Sequence, residues 1–255
     1  MMNQDLIFKV SEYWNEHIHD LDIVTQPVGT QGFYNELDDY RFTKLQYLPK
    51  LVDFSAYEGK RLLEVGCGVG IDLVLFARGG AAVTGIDLSQ TAIDLANQNF
   101  IQNGLTADLR VMNGEAMEFL DDSFDMVYAH GVLQYTPDAQ RMVTEIHRVL
   151  KPAGEAVLMV YNRYSWLNFL SRITAVPLEH EDAPAFRKFT IREFRRLLQA
   201  FEQVRVIPER FPVKTQMHGG LKAKLFNDVF VGIFNLVPKA LVRPLGWHLM
   251  AFAIK

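Results

Sequence analysis

The most chemically loaded stretch of the 255-residue chain is Glu64-Val65-Gly66-Cys67-Gly68-Val69-Gly70, with Asp87 following in the next apolar run. Glycines at 66, 68 and 70 let a strand turn tightly into a helix, approach a ligand closely and aim helix N–H groups at it. The spacing is not the dinucleotide fingerprint G-x-G-x-x-G: Ile71 stands in the sixth place and the last glycine comes one residue early. Glu64 narrows the ligand further. A carboxylate repels a pyrophosphate, whereas it attracts an ammonium or sulfonium group. Asp87, followed by Leu88, ends the next strand, where an acid can accept hydrogen bonds from both hydroxyls of a free ribose. Together these residues describe an adenosine ligand with a cationic tail.

The elements that position them are legible from periodicity. Arg61–Val65, Ala82–Ile86, Leu109–Met112, Phe124–Ala129 and Glu155–Tyr161 read as strands. Ile71–Ala77, Thr91–Gln102 and Ala139–Val149 carry helical spacing. Gly79-Gly80 and Asn103-Gly104 supply stops, and Ser89 stands as an N-cap. Thr190–Ala200 reads as a later helix, with Gln203–Pro208 and Trp247–Ile254 as closing strands. Strands alternating with helices predict an α/β fold: a mostly parallel sheet with helices on both faces. Asn162–Phe189 and Phe211–Gly246 do not fit this alternation.

Composition sets the outer bounds. The chain is 49% hydrophobic and 22% charged, which suits a globular core. Lys+Arg 26 against Asp+Glu 30 gives a net charge of -4, which argues against nucleic acid as the main partner. A single cysteine excludes an internal disulfide framework and any multi-cysteine metal site. Cys67 itself reads as a small filler of the turn rather than a nucleophile. The first residues carry no signal-peptide pattern, and no apolar run approaches the ~18 residues of a membrane span. A cytoplasmic protein is expected.

The sequence resembles the class I S-adenosylmethionine-dependent methyltransferases. The likeness rests on LLEVGCGVG, TGIDLS, Asn113-Gly114-Glu115-Ala116, FDMVYAHGVLQYTPD and EIHRVLKPAGEAVLMVY, running from about Tyr57 to Tyr161. In style it is similar to the quinone-biosynthesis and other small-molecule methyltransferases. The resemblance implies a Rossmann-like, seven-stranded, mostly parallel sheet whose last strand is antiparallel. It implies S-adenosylmethionine as cofactor and S-adenosylhomocysteine as product. Glu64, Gly66 and Gly68 would then surround the methionine part and Asp87 would hold the ribose, with Cys67, Gly70 and Leu88 as further cofactor-binding candidates. Gly114, Glu115 and Ala116 would lie beside the adenine, and the backbone near Ala129 and His130 would meet the amino-acid end. The family usually carries Asp where this chain has Glu115.

Methyl transfer from a sulfonium is an in-line displacement whose leaving thioether needs no proton, so orientation and exclusion of water dominate. A base matters only if the acceptor carries a proton. Candidates lie after the fourth and fifth strands. His130 reads as a base or hydrogen-bonding group, or else as a turn histidine bonded to backbone. Tyr135 and Tyr161 are candidates that read more readily as pocket wall. His180 sits among Glu179, Glu181 and Asp182, a run taken as solvated loop, so no metal is expected.

Residues 1–55 read as an N-terminal helical cover, with Phe33, Tyr34 and Tyr40 as candidate pocket contacts. Residues 56–255 read as the methyltransferase domain, with 162–189 and 211–246 as substrate-side segments. Within the latter, Leu221–Val237 carries apolar residues on one helical face, flanked by basic residues. This C-terminal helical insertion reads as a lid, with a dimer contact or a peripheral membrane contact as the alternatives. The expected activity is methyl transfer to a small-molecule acceptor, thiol or hydroxyl foremost, by a monomer or homodimer. Methylation of a quinone- or lipid-like acceptor at a membrane surface is the main alternative. An NAD(P)-dependent oxidoreductase and a non-catalytic cofactor-binding module stand further back.

Overall fold

In a computed structural model, the structure describes residues 2–18, 20–213, 228 and 230–255. Seven strands form one sheet: β1 (Arg61–Val65), β2 (Ala82–Asp87), β3 (Asp108–Val111), β4 (Phe124–His130), β5 (Leu150–Tyr161), β6 (Glu202–Glu209) and β7 (His248–Ile254). Their order is β3-β2-β1-β4-β5-β7-β6. All neighbouring pairs are parallel except those made by β7, which runs antiparallel to β5 and β6. This is the Rossmann-like sheet expected from the sequence.

Alternation along the strands separates two cores. On one face Leu63, Val127, Leu158 and Ala251 pack with Met142, Ile146 and Phe194. Those last three come from α6 (Ala139–Val149) and α8 (Ile191–Leu197). On the other face Leu62, Met126, Tyr128, Met159 and Met250 pack with Leu73, Phe76 and Ile93. That face is covered by α4 (Ile71–Arg78) and α5 (Gln90–Gln102). Local chemistry fixes the ends of these helices. The Ser89 and Asp138 side chains accept from Ala92 and Arg141 N–H, and Thr190 with Glu193 forms a capping box.

Two boundaries differ from the periodic reading by more than one residue. The sequence places the fifth strand from Glu155, but β5 begins at Leu150. Leu150 pairs with Phe124 before an irregularity in register, and pairing resumes at Met126 with Glu155. Helix α8 ends at Leu197, short of the expected Ala200. The helix expected over Leu221–Val237 falls mostly outside the described residues, which give a short helix over Val231–Leu236.

Before the sheet come α1 (Met2–Glu16), α2 (Gln31–Lys44) and α3 (Leu48–Leu51). Phe33 and Tyr34 are buried against Val69 and Leu95, and the Tyr34 hydroxyl donates to the Leu95 carbonyl. These rings therefore anchor α2 on the helices flanking the glycine turn. Neither they nor Tyr40 line the central cavity, whereas Leu37, Arg41 and Lys44 of the same helix do. The structure thus corrects which residues of the cover reach the pocket: helical spacing turns Leu37, Arg41 and Lys44 inward.

Candidate functional site

Register gathers the site at the carboxyl ends of the parallel strands, where ligands bind in such sheets. Glu64 of β1 lies opposite Tyr128, His130 of β4 opposite Met159, and Tyr161 of β5 opposite His248 of β7. Glu64, His130, Met159, Tyr161 and His248 line a cavity of about 220 Å³. Because β7 is antiparallel, its first residue, His248, reaches the same edge as the last residues of its neighbours.

One end of the cavity is built from the glycine turn. Gly66, Gly68 and Gly70 have φ of 68°, 52° and 78°, a region L side chains rarely adopt. A Cβ on Gly66 would stand 2.3 Å from Val132 Cγ2, whereas one on Gly68 would enter open space. Gly68 lines the cavity, so that open space is room for a ligand. Gly70 instead faces α5, where a Cβ would sit 3.4 Å from both Ala96 and Phe100. Its role is to start α4.

Asp87 is held by the turn it serves. Its carboxylate accepts from Gly68 N–H at 3.0 Å and Ser89 N–H at 2.9 Å. Burial raises its pKa, and those two backbone donors act in the opposite sense. Cys67, Leu88 and Gly114 also line the cavity. Burial pushes the Cys67 thiol well up, which leaves it protonated and suits a filler rather than a nucleophile.

Glu64 is the most informative member. It is 4% exposed, and its Oε2 has no hydrogen-bond partner. Burial first, then the nearby Asp72 carboxylate, raise its pKa well above the ordinary carboxylate range. A buried acceptor left open at a ligand cavity is suited to a cationic donor.

The other end is made of long side chains from distant segments. The Arg41 Nε donates to Asp72 Oδ1 at 2.5 Å, and its Nη2 pairs with Asp72 Oδ2, which also accepts from the Tyr128 hydroxyl. Arg41 Nη2 lies 3.3 Å from His130 Nδ1, and His130 Nε2 lies 3.1 Å from the Tyr47 hydroxyl. That hydroxyl is 2.6 Å from His248 Nδ1, whose ring Nε2 is 3.1 Å from Arg210 Nη1. A guanidinium can only donate, so each ring accepts on its arginine side and donates to the Tyr47 oxygen from the other. The Tyr47 proton then points to Met250 Sδ at 3.9 Å. Both imidazoles are neutral in this arrangement. Burial, followed by the Arg41 charge, lowers the His130 pKa to about 3. Burial and Arg210 carry His248 well below its ordinary value.

Two tyrosines named from the sequence line this end. Tyr161 stacks on Trp247 with centroids 4.4 Å apart, and Tyr135 meets Trp14 edge-on at 5.0 Å. Burial raises both phenols, so neither is an acid near neutrality.

Glu115, Ala116 and Ala129 do not line the cavity. Glu115 is buried elsewhere: its Oε1 accepts from Thr136 Oγ1 at 2.5 Å and Asp138 N–H at 2.8 Å, which ties the loop after β3 to the segment that leads from β4 into α6. The acidic run around His180 is also tied into the fold. The Tyr13 hydroxyl meets His180 Nδ1 at 3.1 Å, Glu181 pairs with Lys188, and Glu179 pairs with Lys44. Among the described residues no group of three or more His, Cys, Asp or Glu is placed to hold a metal ion.

Sequence reasoning did not find Arg41, Asp72, Tyr47, Arg210 or His248. His248 alone carried a signal: it is a polar residue inside the apolar run WHLMAFAI, next to the aromatic Trp247.

Residues 63–158 match the model of a methyltransferase domain. A ubiquinone biosynthesis O-methyltransferase of Pseudomonas aeruginosa is 35% identical over 106 residues, 41% of this chain and 46% of that protein. One from Bartonella tribocorum is 29% identical over 150 residues, 55% of this chain and 61% of that protein. The match thus spans about half the length of these curated relatives. Among solved structures, an S-adenosylmethionine-dependent methyltransferase of Aquifex aeolicus aligns with a TM-score of 0.55 at 15% identity, covering 87% of this chain and 96% of that one. One from Methanosarcina mazei aligns with a TM-score of 0.55 at 22% identity, covering 82% and 97%. These two share the fold. Residues 63–158 thus carry a methyltransferase domain, and the fold around it is the one seen in solved S-adenosylmethionine-dependent methyltransferases.

Proposed function

We propose that this protein transfers a methyl group from S-adenosylmethionine to a small-molecule acceptor, with thiols and hydroxyls foremost. The observation that carries the reading is the unpartnered Glu64 Oε2 beside the open face of Gly68, both on the wall of one cavity. When bound, the cofactor supplies a methyl group activated on a sulfonium sulfur. Glu64 would hold its cationic amino-acid end, the Gly66–Gly68 backbone would admit it closely, and Asp87 would take the ribose hydroxyls. Met112, Gly114 and Met142 would border the adenine side of the same cavity.

The protein's further contribution is orientation and exclusion of water. Trp14, Tyr135 and Tyr161 wall the acceptor end with rings that need no reorganisation. The neutral His130 ring serves this reading as a fixed hydrogen-bonding group rather than as a strong base. An acceptor that reaches the site already deprotonated, as a thiolate or acidic phenol, suits such a pocket. The test is product mass after incubation of the full chain with S-adenosylmethionine and a panel of thiols, phenols, amines and carboxylates. The reading expects a 14-dalton gain on an acceptor together with S-adenosylhomocysteine. Saturable cofactor binding that Glu64→Gln and Gly68→Val leave unchanged contradicts it.

A second reading, methylation of a hydrophobic acceptor at a membrane surface, draws on exposed apolar side chains. Phe169 and Ile173 of α7 (Trp166–Thr174) are exposed, as are Val176, Leu236 and Leu241. Among the described residues no helix is long and apolar enough to cross a membrane, so contact of this kind would be peripheral. Sedimentation with anionic vesicles, weakened by a Phe169→Ser and Ile173→Ser pair, supports this reading. No sedimentation of the parent chain removes it.

A further inference from the structure

Among the described residues, the acceptor end of the cavity carries one cation without a counter-charge. Among the described residues, three basic side chains line it: Arg41, Lys44 and Arg210. Arg41 is paired with Asp72, and Lys44 with Asp20 and Glu179. Among the described residues no carboxylate lies within ion-pair distance of Arg210. Its hydrogen-bond partner is the neutral His248 ring, 3.1 Å from Nη1, which uses one of the five N–H donors of a guanidinium. Burial raises the pKa of the carboxylate nearest in sequence, Glu209, against the opposing charges of Arg243 and Lys50.

The position of Arg210 is built rather than incidental. It directly follows β6, whose last residue Glu209 is in register with His248. Its carbonyl accepts from Trp166 Nε1 at 2.8 Å and from Trp247 N–H at 3.3 Å, and its φ is 58°. Two tryptophans thus fix the backbone from which the guanidinium enters the cavity. The charge is felt through the neighbouring groups: it opposes protonation of His248, His130 and Lys44 and favours ionised Tyr47 and Tyr161. At the opposite end Glu64 is an acidic group without a donor. The cavity is therefore polarised, acidic beside the glycine turn and basic beside β6 and β7.

We propose that Arg210 is a specificity-determining residue that selects a carboxylate-bearing acceptor, holding the carboxylate in its planar fork while the nucleophile faces the glycine turn. The fork matches a carboxylate in two parallel hydrogen bonds, and a half-buried guanidinium favours it over a neutral isostere that leaves the fork unpaired. His248 secures the fork on its far side and keeps the guanidinium from turning away. This inference rests on the methyltransferase reading and narrows its substrate class.

The test loads the full chain with S-adenosylhomocysteine and titrates it with small carboxylates and their primary amides: hydroxybenzoate, hydroxyphenylacetate, mercaptopropionate and indoleacetate. At least one acid should bind, with its amide weaker by about tenfold or more. Arg210→Met should abolish that preference, Arg210→Lys should retain part of it, and neither should alter affinity for S-adenosylhomocysteine. Arg210→Gln answers the same question if the Met variant does not fold. The proposal is overturned if acids and amides bind alike, if no acid binds up to about 10 mM, or if the preference survives in the variant. Failure of the parent chain to bind S-adenosylhomocysteine at all overturns the methyltransferase reading together with this inference. Binding of the nucleoside without acid preference overturns the inference alone.

Discussion

The two ends of the cavity are made in different ways. The glycine-turn end is mostly backbone and comes from three short stretches near the tips of β1, β2 and β3: Glu64–Gly68, Asp87–Ser89 and Met112–Gly114. The other end is side chain, assembled from Trp14, Arg41, His130, Tyr161, Arg210 and His248 across almost the whole chain. A backbone cradle needs particular residues at fixed spacing, because only certain residues permit its dihedrals. A side-chain wall needs only that several elements meet. The first end can bind one kind of ligand throughout a family, while the second can change its chemistry through single substitutions on different elements.

The contrast can be broken first at Gly68. Gly68→Val places a branched side chain in the open space of the cradle at a φ of 52°. Calorimetry should show S-adenosylmethionine binding lost altogether, with the carboxylate preference of the other end still measurable if the two ends are independent.

Asp87→Ala should act next most strongly. Loss of a charge-assisted hydrogen-bonding group should cost about 1.5–3 kcal/mol of cofactor affinity. The same change frees the Gly68 and Ser89 N–H groups, so part of the loss should appear as a looser turn. Unchanged affinity in a folded variant would place the ribose elsewhere.

Glu64 sharpens the comparison through pH. A cationic ligand favours the ionised carboxylate, so it lowers a pKa that burial had raised, and binding releases a proton. Affinity should therefore rise with pH through the range above the ordinary carboxylate value and level off once free Glu64 is ionised. Titration in two buffers of different ionisation heat measures the released proton, and Glu64→Gln should remove it.

The smallest effect is expected at His130. Because its pKa is already depressed to about 3, the ring stays neutral across about pH 5–8. His130→Asn should reduce kcat/KM by about 1 kcal/mol, the scale of one lost neutral hydrogen bond. Cofactor affinity and the shape of the pH profile over that range should not move. A profile that loses an inflection near neutrality in the variant would restore His130 as the base.

Legibility from sequence follows the same division. The sheet was readable because apolar runs alternate with helical periods between Arg61 and Tyr161, and the turn because Gly66, Gly68 and Gly70 stand at fixed spacing after a strand. Lys151-Pro152 and Gly154 look like a break before the fifth strand, yet β5 starts at Leu150 because the irregularity in register absorbs them. Phe33, Tyr34 and Tyr40 attracted attention as aromatics, yet the residues of α2 that reach the cavity are an aliphatic and two cations. Arg41 and Asp72 are 31 positions apart and Tyr47 and His248 are 201 apart. No local pattern announces such pairs, since only strand order and helix packing bring them together.

The central claim is that the cavity is a sulfonium-nucleoside site and not a dinucleotide site. Calorimetric titration of the full chain with S-adenosylmethionine, beside the same titration with NAD, tests it most directly. The account predicts saturable binding of S-adenosylmethionine, competed by S-adenosylhomocysteine and accompanied by proton release near mildly acidic pH, with no heat from NAD. Saturable binding of NAD, or the absence of S-adenosylmethionine binding by folded protein, would contradict it.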